Sequence, residues 1–343
     1  MNFMERHQVV LYLISMGIGT VIASLGWIGW SEISEMFVPY VLGALLWTNF
    51  VLIPLINLGG SGKSQLRKAT MLAAALLTPA VTALLVPLFL PAGGSVALAA
   101  TIVLLAPCVD YVVVFTRIAG GEYRGLLAAT PYLLILQFLT IPLWTSIYTY
   151  VGMFDTGLVE SFFPLPAESY LSLVPLILPL IAAYTLQRWS HRSLQRQRTY
   201  ERVSKVSDAA MIPTMCLLLV LMCIAYIPAV LREMHLIPRL AGLYTAYALM
   251  VGTATWTLSH LLPGARCAFS GQERISLTFS AVTRNALIIY PIVALCAQRL
   301  TQNGHTDAGL MSATVLTQTL TELLIMTAMT GLFRWVYRTQ NSR

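Results

Sequence analysis

The chain has 343 residues, of which 57% are hydrophobic and only 10% charged, with a mean hydropathy of +0.74. A soluble domain carries about a quarter charged residues, so this composition excludes a soluble globule and points to an integral membrane protein. The formal charge of +7 does not indicate a nucleic-acid partner, because the basic residues lie between apolar spans, where they set orientation.

The apolar runs lack the two-residue alternation of barrel strands, so the expected fold is all-α and polytopic. Ten spans are expected, near 9–29, 36–58, 69–90, 95–117, 125–150, 169–187, 209–231, 239–262, 275–297 and 308–332. Each is long enough for about 30 Å of hydrocarbon. The N-terminus, MNFMERHQVV, leads into the first span without the small-residue cleavage site expected of a secretory signal. Within it Gly17 and Gly19, and beyond them Gly26 and Gly29, read as packing positions. Tyr148, Tyr150, Trp189, Trp335 and Tyr337 fall near span ends, where amphipathic rings settle.

Most of the 21 Lys and Arg residues lie near the termini and after the second, fourth, sixth and eighth spans. Lys63, Arg67 and Lys68 form one such group, and Arg188 to Lys205 the largest. Both termini are therefore expected on the cytoplasmic side of the cytoplasmic (inner) membrane. The stretch Gln187 to Lys205 reads as an ordinary cytoplasmic loop that could meet anionic lipid. Dividing the chain into 1–168 and 169–343 gives five spans in each part. An odd number makes the second part enter with opposite orientation, as in an inverted repeat. The fourth span then corresponds to the ninth.

Those two spans carry the chemistry. Thr101 to Glu122 contains Pro107, Cys108 and Asp110. Pro107 cannot donate to a continuous helix, and an intramembrane carboxylate marks a partner, a cavity or a transport path. Leu277 to Leu295 is interrupted by Thr283, Arg284 and Asn285. A thiol at a broken helix is open to a soft, thiophilic solute, although Cys108 equally suits a small buried hydrophobe. Asp110 and Arg284 are expected to pair, either as a structural lock or as a titrating acid beside a cation that attracts an anionic substrate. Thr283 and Asn285 offer uncharged hydrogen-bonding groups. Asn49, Gln137, His260, Gln318 and Glu322 are further polar residues in or near spans. Of these, Asn49 is a candidate cavity residue and Glu322 a second proton-titratable group. The five cysteines show no metal-type spacing, and Cys216 and Cys223 read as apolar packing.

Leu104-Leu105-Ala106-Pro107-Cys108, continued by Val112-Val113-Val114-Phe115 and Gly120-Gly121, resembles the bile acid:sodium symporter superfamily. Within it the likeness is to the arsenical-resistance (arsenite efflux) permeases. The second span, Gly43 to Leu55, is similar to that group as well. The resemblance implies ten transmembrane helices in two inverted five-helix repeats, with broken, crossed fourth and ninth helices. It also implies that Cys108 is the metalloid-contacting cysteine. Two positions depart from the pattern. Asp110 stands where the permeases have small or apolar residues, and Leu287 stands where they carry a glutamate. The second departure removes a carboxylate associated with sodium sites, so protons are favoured over sodium as coupling ion.

The expected function is secondary transport that exports arsenite or antimonite, with Cys108, Asp110, Arg284, Asn285, Thr283 and Asn49 binding substrate and Asp110 and Glu322 coupling it to protons. The alternative is a symporter for an organic anion held by Arg284. A solute-binding membrane sensor is a third class, and no enzyme chemistry is expected, because no nucleophile–base pair appears. Gly59 to Ser64 lacks the spacing of a phosphate-binding loop, so no nucleotide or other cofactor is implied. Besides the transported anion and lipid, the sequence leaves a homodimer open.

Overall fold

A computed structural model describes residues 3–25, 30–52, 64–91, 93–108, 112–156, 159, 174–232, 236–261, 269–302 and 308–341. The described residues form helices throughout, with no strand beyond one isolated bridge. In chain order they are α1 (Phe3–Ser24), α2 (Trp30–Leu52), α3 (Ser64–Leu72), a π-helical turn (Ala73–Leu77) and α4 (Thr78–Phe89). Then come α5 (Ser95–Leu105), α6 (Val112–Ile118), α7 (Tyr123–Tyr150), α8 (Val174–Ser190) and α9 (Leu194–Arg232). The last four are α10 (Ile237–Leu261), α11 (Gly271–Val282), α12 (Ala286–Gln302) and α13 (Ala308–Asn341).

Five helical runs are long and apolar enough to cross a bilayer: Trp30–Leu52, Gln65–Phe89, Tyr123–Tyr150, Leu194–Ala225 and Leu310–Arg334. Their polarity is arranged for lipid. On α7, Ile135, Phe138, Leu139 and Leu143 are exposed at helical spacing, whereas Gln137, Thr140 and Thr145 are buried. A soluble helix would turn the other face outward. The chain is an all-α membrane protein.

The helices sort into two packing groups. One joins α1, α2, α8 and α9, and the other joins α3 to α7 with α10 to α13. They meet chiefly where α9 lies against α13. Each group draws on both halves of the chain.

Three local features correct or sharpen the sequence reading. The basic stretch expected as a loop is mostly helix: α8 continues to Ser190 and α9 starts at Leu194. From Leu194 to Lys205 there is no Gly or Pro, and Gln, Arg and Glu favour a helix. The start of α9 is also tied down, since Tyr200 Oη donates to Val51 O at 2.8 Å, beside the Gln187 amide on Phe50 O at 3.2 Å. Tyr148 is not an interfacial anchor but a buried residue whose hydroxyl donates to Pro79 O at 2.8 Å. Tyr150 is fully outside and Trp189 partly so, with Arg196 above its ring. Gly26, Gly29 and Cys267, with the side chains of Trp335 and Tyr337, lie outside what is described.

The π turn releases carbonyls from regular pairing, and Trp144 Nε1 donates to one of them, Ala75 O, at 2.9 Å. Between α1 and α9 the approach is close at Gly19. A Cβ there would sit 2.7 Å from both Cys223 Cβ and Val220 O, whereas one at Gly17 would meet nothing. Gly19→Ala is therefore expected to destabilise the purified protein by about 1–3 kcal/mol through forced helix separation. Gly17→Ala should stay within about 0.5 kcal/mol of wild type. Thermal denaturation of both in detergent checks the contrast, and equal midpoints would refute it.

Candidate functional site

The site begins with two helices that stop inside the protein. α5 is apolar apart from Ser95 and Thr101 and ends at Leu105, where Ala106 turns to extended backbone (φ −86°, ψ 112°) just ahead of Pro107. α11 starts with a capping box, in which Ser270 Oγ accepts from Glu273 N–H and the Glu273 carboxylate accepts from Ser270 N–H. It ends at Val282, after which Thr283 is extended (φ −78°, ψ 140°) and α12 resumes at Ala286.

The two extended segments run antiparallel against each other and form a single bridge, Pro107 opposite Arg284. Cys108 N–H donates to Thr283 O at 3.3 Å, and Asn285 N–H donates to Ala106 O at 2.9 Å. In this register the flanking residues make both bonds. Pro107 therefore ends the helix without costing the bridge a donor. Cys108 and Thr283 are fully buried at the crossing, and Asn285 almost so.

Arg284 is the largest fully buried side chain, 1% exposed. Its Nη1 donates to Leu104 O at 3.4 Å, and its Nη2 donates to Ser280 O at 3.3 Å and to Ala281 O. These carbonyls belong to the last turns of α5 and α11, which have no intrahelical partner of their own. The guanidinium carbon lies 5.4 Å from the centroid of the Tyr247 ring. The Tyr247 hydroxyl is within hydrogen-bond reach of Thr78 Oγ1 (3.2 Å) and Ala281 O (3.4 Å).

Glu322, on α13, completes the cluster. Its carboxylate accepts the Arg284 backbone N–H at 2.8 Å and also a bond from the Gln318 amide one turn back. Glu322 is 4% exposed. A small cavity beside Arg284 is lined by Leu104, Tyr244, Tyr247, Gln318 and Glu322 among others. A larger, almost wholly apolar groove of about 400 Å³ lies elsewhere, between the π turn and the ends of α10 and α11.

Of the residues expected at the site, Cys108, Thr283, Arg284 and Asn285 come together at the crossing, and Glu322 joins them. Asp110 lies outside the described residues, and the expected Asp110–Arg284 pair with it. Asn49 sits in the other packing group, on α2, and its amide donates back to Leu45 O at 3.1 Å. His260 stays at the end of α10, with Nδ1 2.8 Å from Trp256 O. Gln137 is fully buried on α7, with neither amide atom hydrogen-bonded.

The sequence reading missed Tyr244 and Tyr247. The signal was the buried stripe of α10, Leu240, Leu243, Tyr244, Tyr247 and Val251, but nothing in its spacing marks a guanidinium partner. Among the described residues no group of His, Cys, Asp and Glu is arranged to hold a metal ion. No family model and no curated protein matches the chain.

Removing the Glu322 carboxylate strands a backbone N–H and a glutamine amide away from water. Glu322→Ala is expected to cost about 3 kcal/mol or more, and Glu322→Gln, which keeps an acceptor, clearly less. Tyr247→Phe should cost about 1 kcal/mol. Denaturation midpoints of the three variants test this order, and a Glu322→Ala variant as stable as wild type contradicts the cluster.

Proposed function

We infer that the chain is a secondary transporter of the cytoplasmic membrane that exports arsenite or antimonite in exchange for protons. The observation that carries this reading is Cys108, a buried thiol outside any disulfide, at the point where two interrupted helices cross. Irregular backbone at membrane depth is tolerated only where protein or a cavity lines it, and such breaks are where transporters handle solute. A soft trivalent metalloid selects a thiolate, and a single sulfur ligand binds weakly enough to release its cargo.

The architecture fits ten spans in two inverted five-helix repeats, 1–168 and 169–343, with both termini cytoplasmic. Two observations support the repeat. The breaks fall in α5–α6 and α11–α12, at equivalent places in the two halves. The packing groups also take equivalent spans from each half, α1 and α2 with α8 and α9. In this scheme Asn285 and Thr283 orient the oxygens of the solute. Asp110 and Glu322 are the carboxylates that can exchange protons with it.

The alternative, symport of an organic anion on Arg284, is less well supported. Both terminal nitrogens of that guanidinium are already engaged by helix-end carbonyls. Only Nε, buried and without a hydrogen bond, and one Nη1 hydrogen are left for a carboxylate ligand.

Everted membrane vesicles with an acid interior are expected to accumulate arsenite, sodium being unable to replace the proton gradient. Cys108→Ala should reduce accumulation to the level of vesicles lacking the protein. An inactive wild type, shown to be folded and inserted, would move the reading to an organic anion; an active Cys108→Ala would remove the thiol from the mechanism.

A further inference from the structure

The surroundings of Arg284 concentrate negative potential at one point. α5 and α11 both end at the crossing, so their final carbonyls carry the negative ends of two helix dipoles. Leu104, Ser280 and Ala281 supply such carbonyls to the guanidinium. The Glu322 carboxylate is held against the same residue by its backbone N–H, at 2.8 Å. The Tyr247 ring turns its face toward the guanidinium, 5.4 Å away, and that face is the negative part of its quadrupole. Backbone carbonyls converging from two helix ends, with a carboxylate held beside them at the Arg284 N–H, are the kind of donor set that suits a small hard cation. Here the cation is part of the chain, the Arg284 guanidinium.

We propose that Arg284 is a tethered cation that permanently fills a cation site formed by the two helix ends and Glu322. No free alkali cation binds there, and the consequence for coupling, that the cycle runs without sodium or potassium, rests on the transporter reading above. The site itself does not. The cavity beside the guanidinium is about 10 Å³, barely room for one water, so a second cation with any hydration shell has no place while Arg284 is present. Truncation at Cβ opens that place and leaves Glu322 and the helix ends without a counter-charge.

The full chain in detergent tests this without any substrate. Thermal midpoints are read in choline, sodium, potassium and guanidinium chlorides at equal, low ionic strength. Wild type is expected to unfold at one temperature in all four. Arg284→Ala should be lowered in choline, which is too large to enter, and raised by about 5 °C or more in guanidinium or sodium. Adding Glu322→Gln to Arg284→Ala should abolish that response, because the carboxylate that holds the free cation is gone. Arg284→Lys keeps the charge and should remain indifferent to the salt.

A wild type that responds to sodium overturns the proposal, and so does an Arg284→Ala midpoint equally low in every salt. Where Arg284→Ala yields no folded protein in any salt, Arg284→Lys decides: salt indifference supports the tethered cation, and a requirement for sodium or guanidinium overturns it. Absence of arsenite transport alongside the expected midpoints would sink the transport reading alone.

Discussion

The backbone bridge between Ala106–Cys108 and Thr283–Asn285 is the constraint on which the other features rest. A helix that stops within a bilayer exposes carbonyls and N–H groups that neither lipid nor an apolar core can satisfy. Each of these two breaks supplies what the other lacks: Cys108 N–H reaches Thr283 O, and Asn285 N–H reaches Ala106 O. Neither break is tolerable alone. Together they fix where α5, α11 and α12 end or begin, and hold the Cys108 backbone in one position.

Two hydrogen bonds do not account for the carbonyls behind the bridge. The last turns of α5 and α11 point their unpaired oxygens into the same small volume, and Arg284 answers them with a guanidinium. A buried charge is tolerable when its donors are used and a counter-charge is near. The carbonyls and Tyr247 meet the first condition for both terminal nitrogens, Nε remaining buried without a hydrogen bond, and Glu322, held at the Arg284 backbone N–H, supplies the counter-charge from a separate helix. This ties α13 and α10 to the crossing, so four helices converge on a side chain from a fifth segment. The arrangement also separates the roles of neighbouring residues. Arg284 is consumed by the protein itself, whereas Cys108 and Asn285 lie on the bridge strands beside it.

Elsewhere the fold follows from packing helices in lipid. Small residues let helices approach, as Gly19 does against Val220 and Cys223. Serine and threonine hydroxyls return to their own carbonyls one turn back, as Thr101 does to Ala97 O and Thr140 to Leu136 O, which removes them as liabilities in an apolar interior. Where the helical ladder itself is disturbed, at the π turn, Trp144 reaches across from α7 to the carbonyl of Ala75. Apolar side chains face outward on α7 because lipid rather than water is the solvent there.

Much of this was legible from the chain alone. Composition and the length of the apolar runs require a helical membrane protein, since helices satisfy their own backbone bonds. Pro107 and the polar triplet Thr283–Asn285 coincide with both breaks, and it is the polar neighbours rather than a proline alone that mark them, since Pro131 and Pro142 lie inside the continuous α7. Local signals failed where distant elements decide. The helical start of α9 depends partly on Tyr200 meeting the end of α2, and the burial of Tyr148 depends on Pro79. Above all, the partners of Arg284 could not be read from spacing. Besides the local carbonyls of Ser280 and Ala281, they are a backbone oxygen 180 residues away at Leu104, a ring on α10 and a carboxylate 38 residues further on, at Glu322. Sequence determines which groups must find a partner in a bilayer; only the tertiary structure decides which partner, because that choice depends on where the helix ends meet.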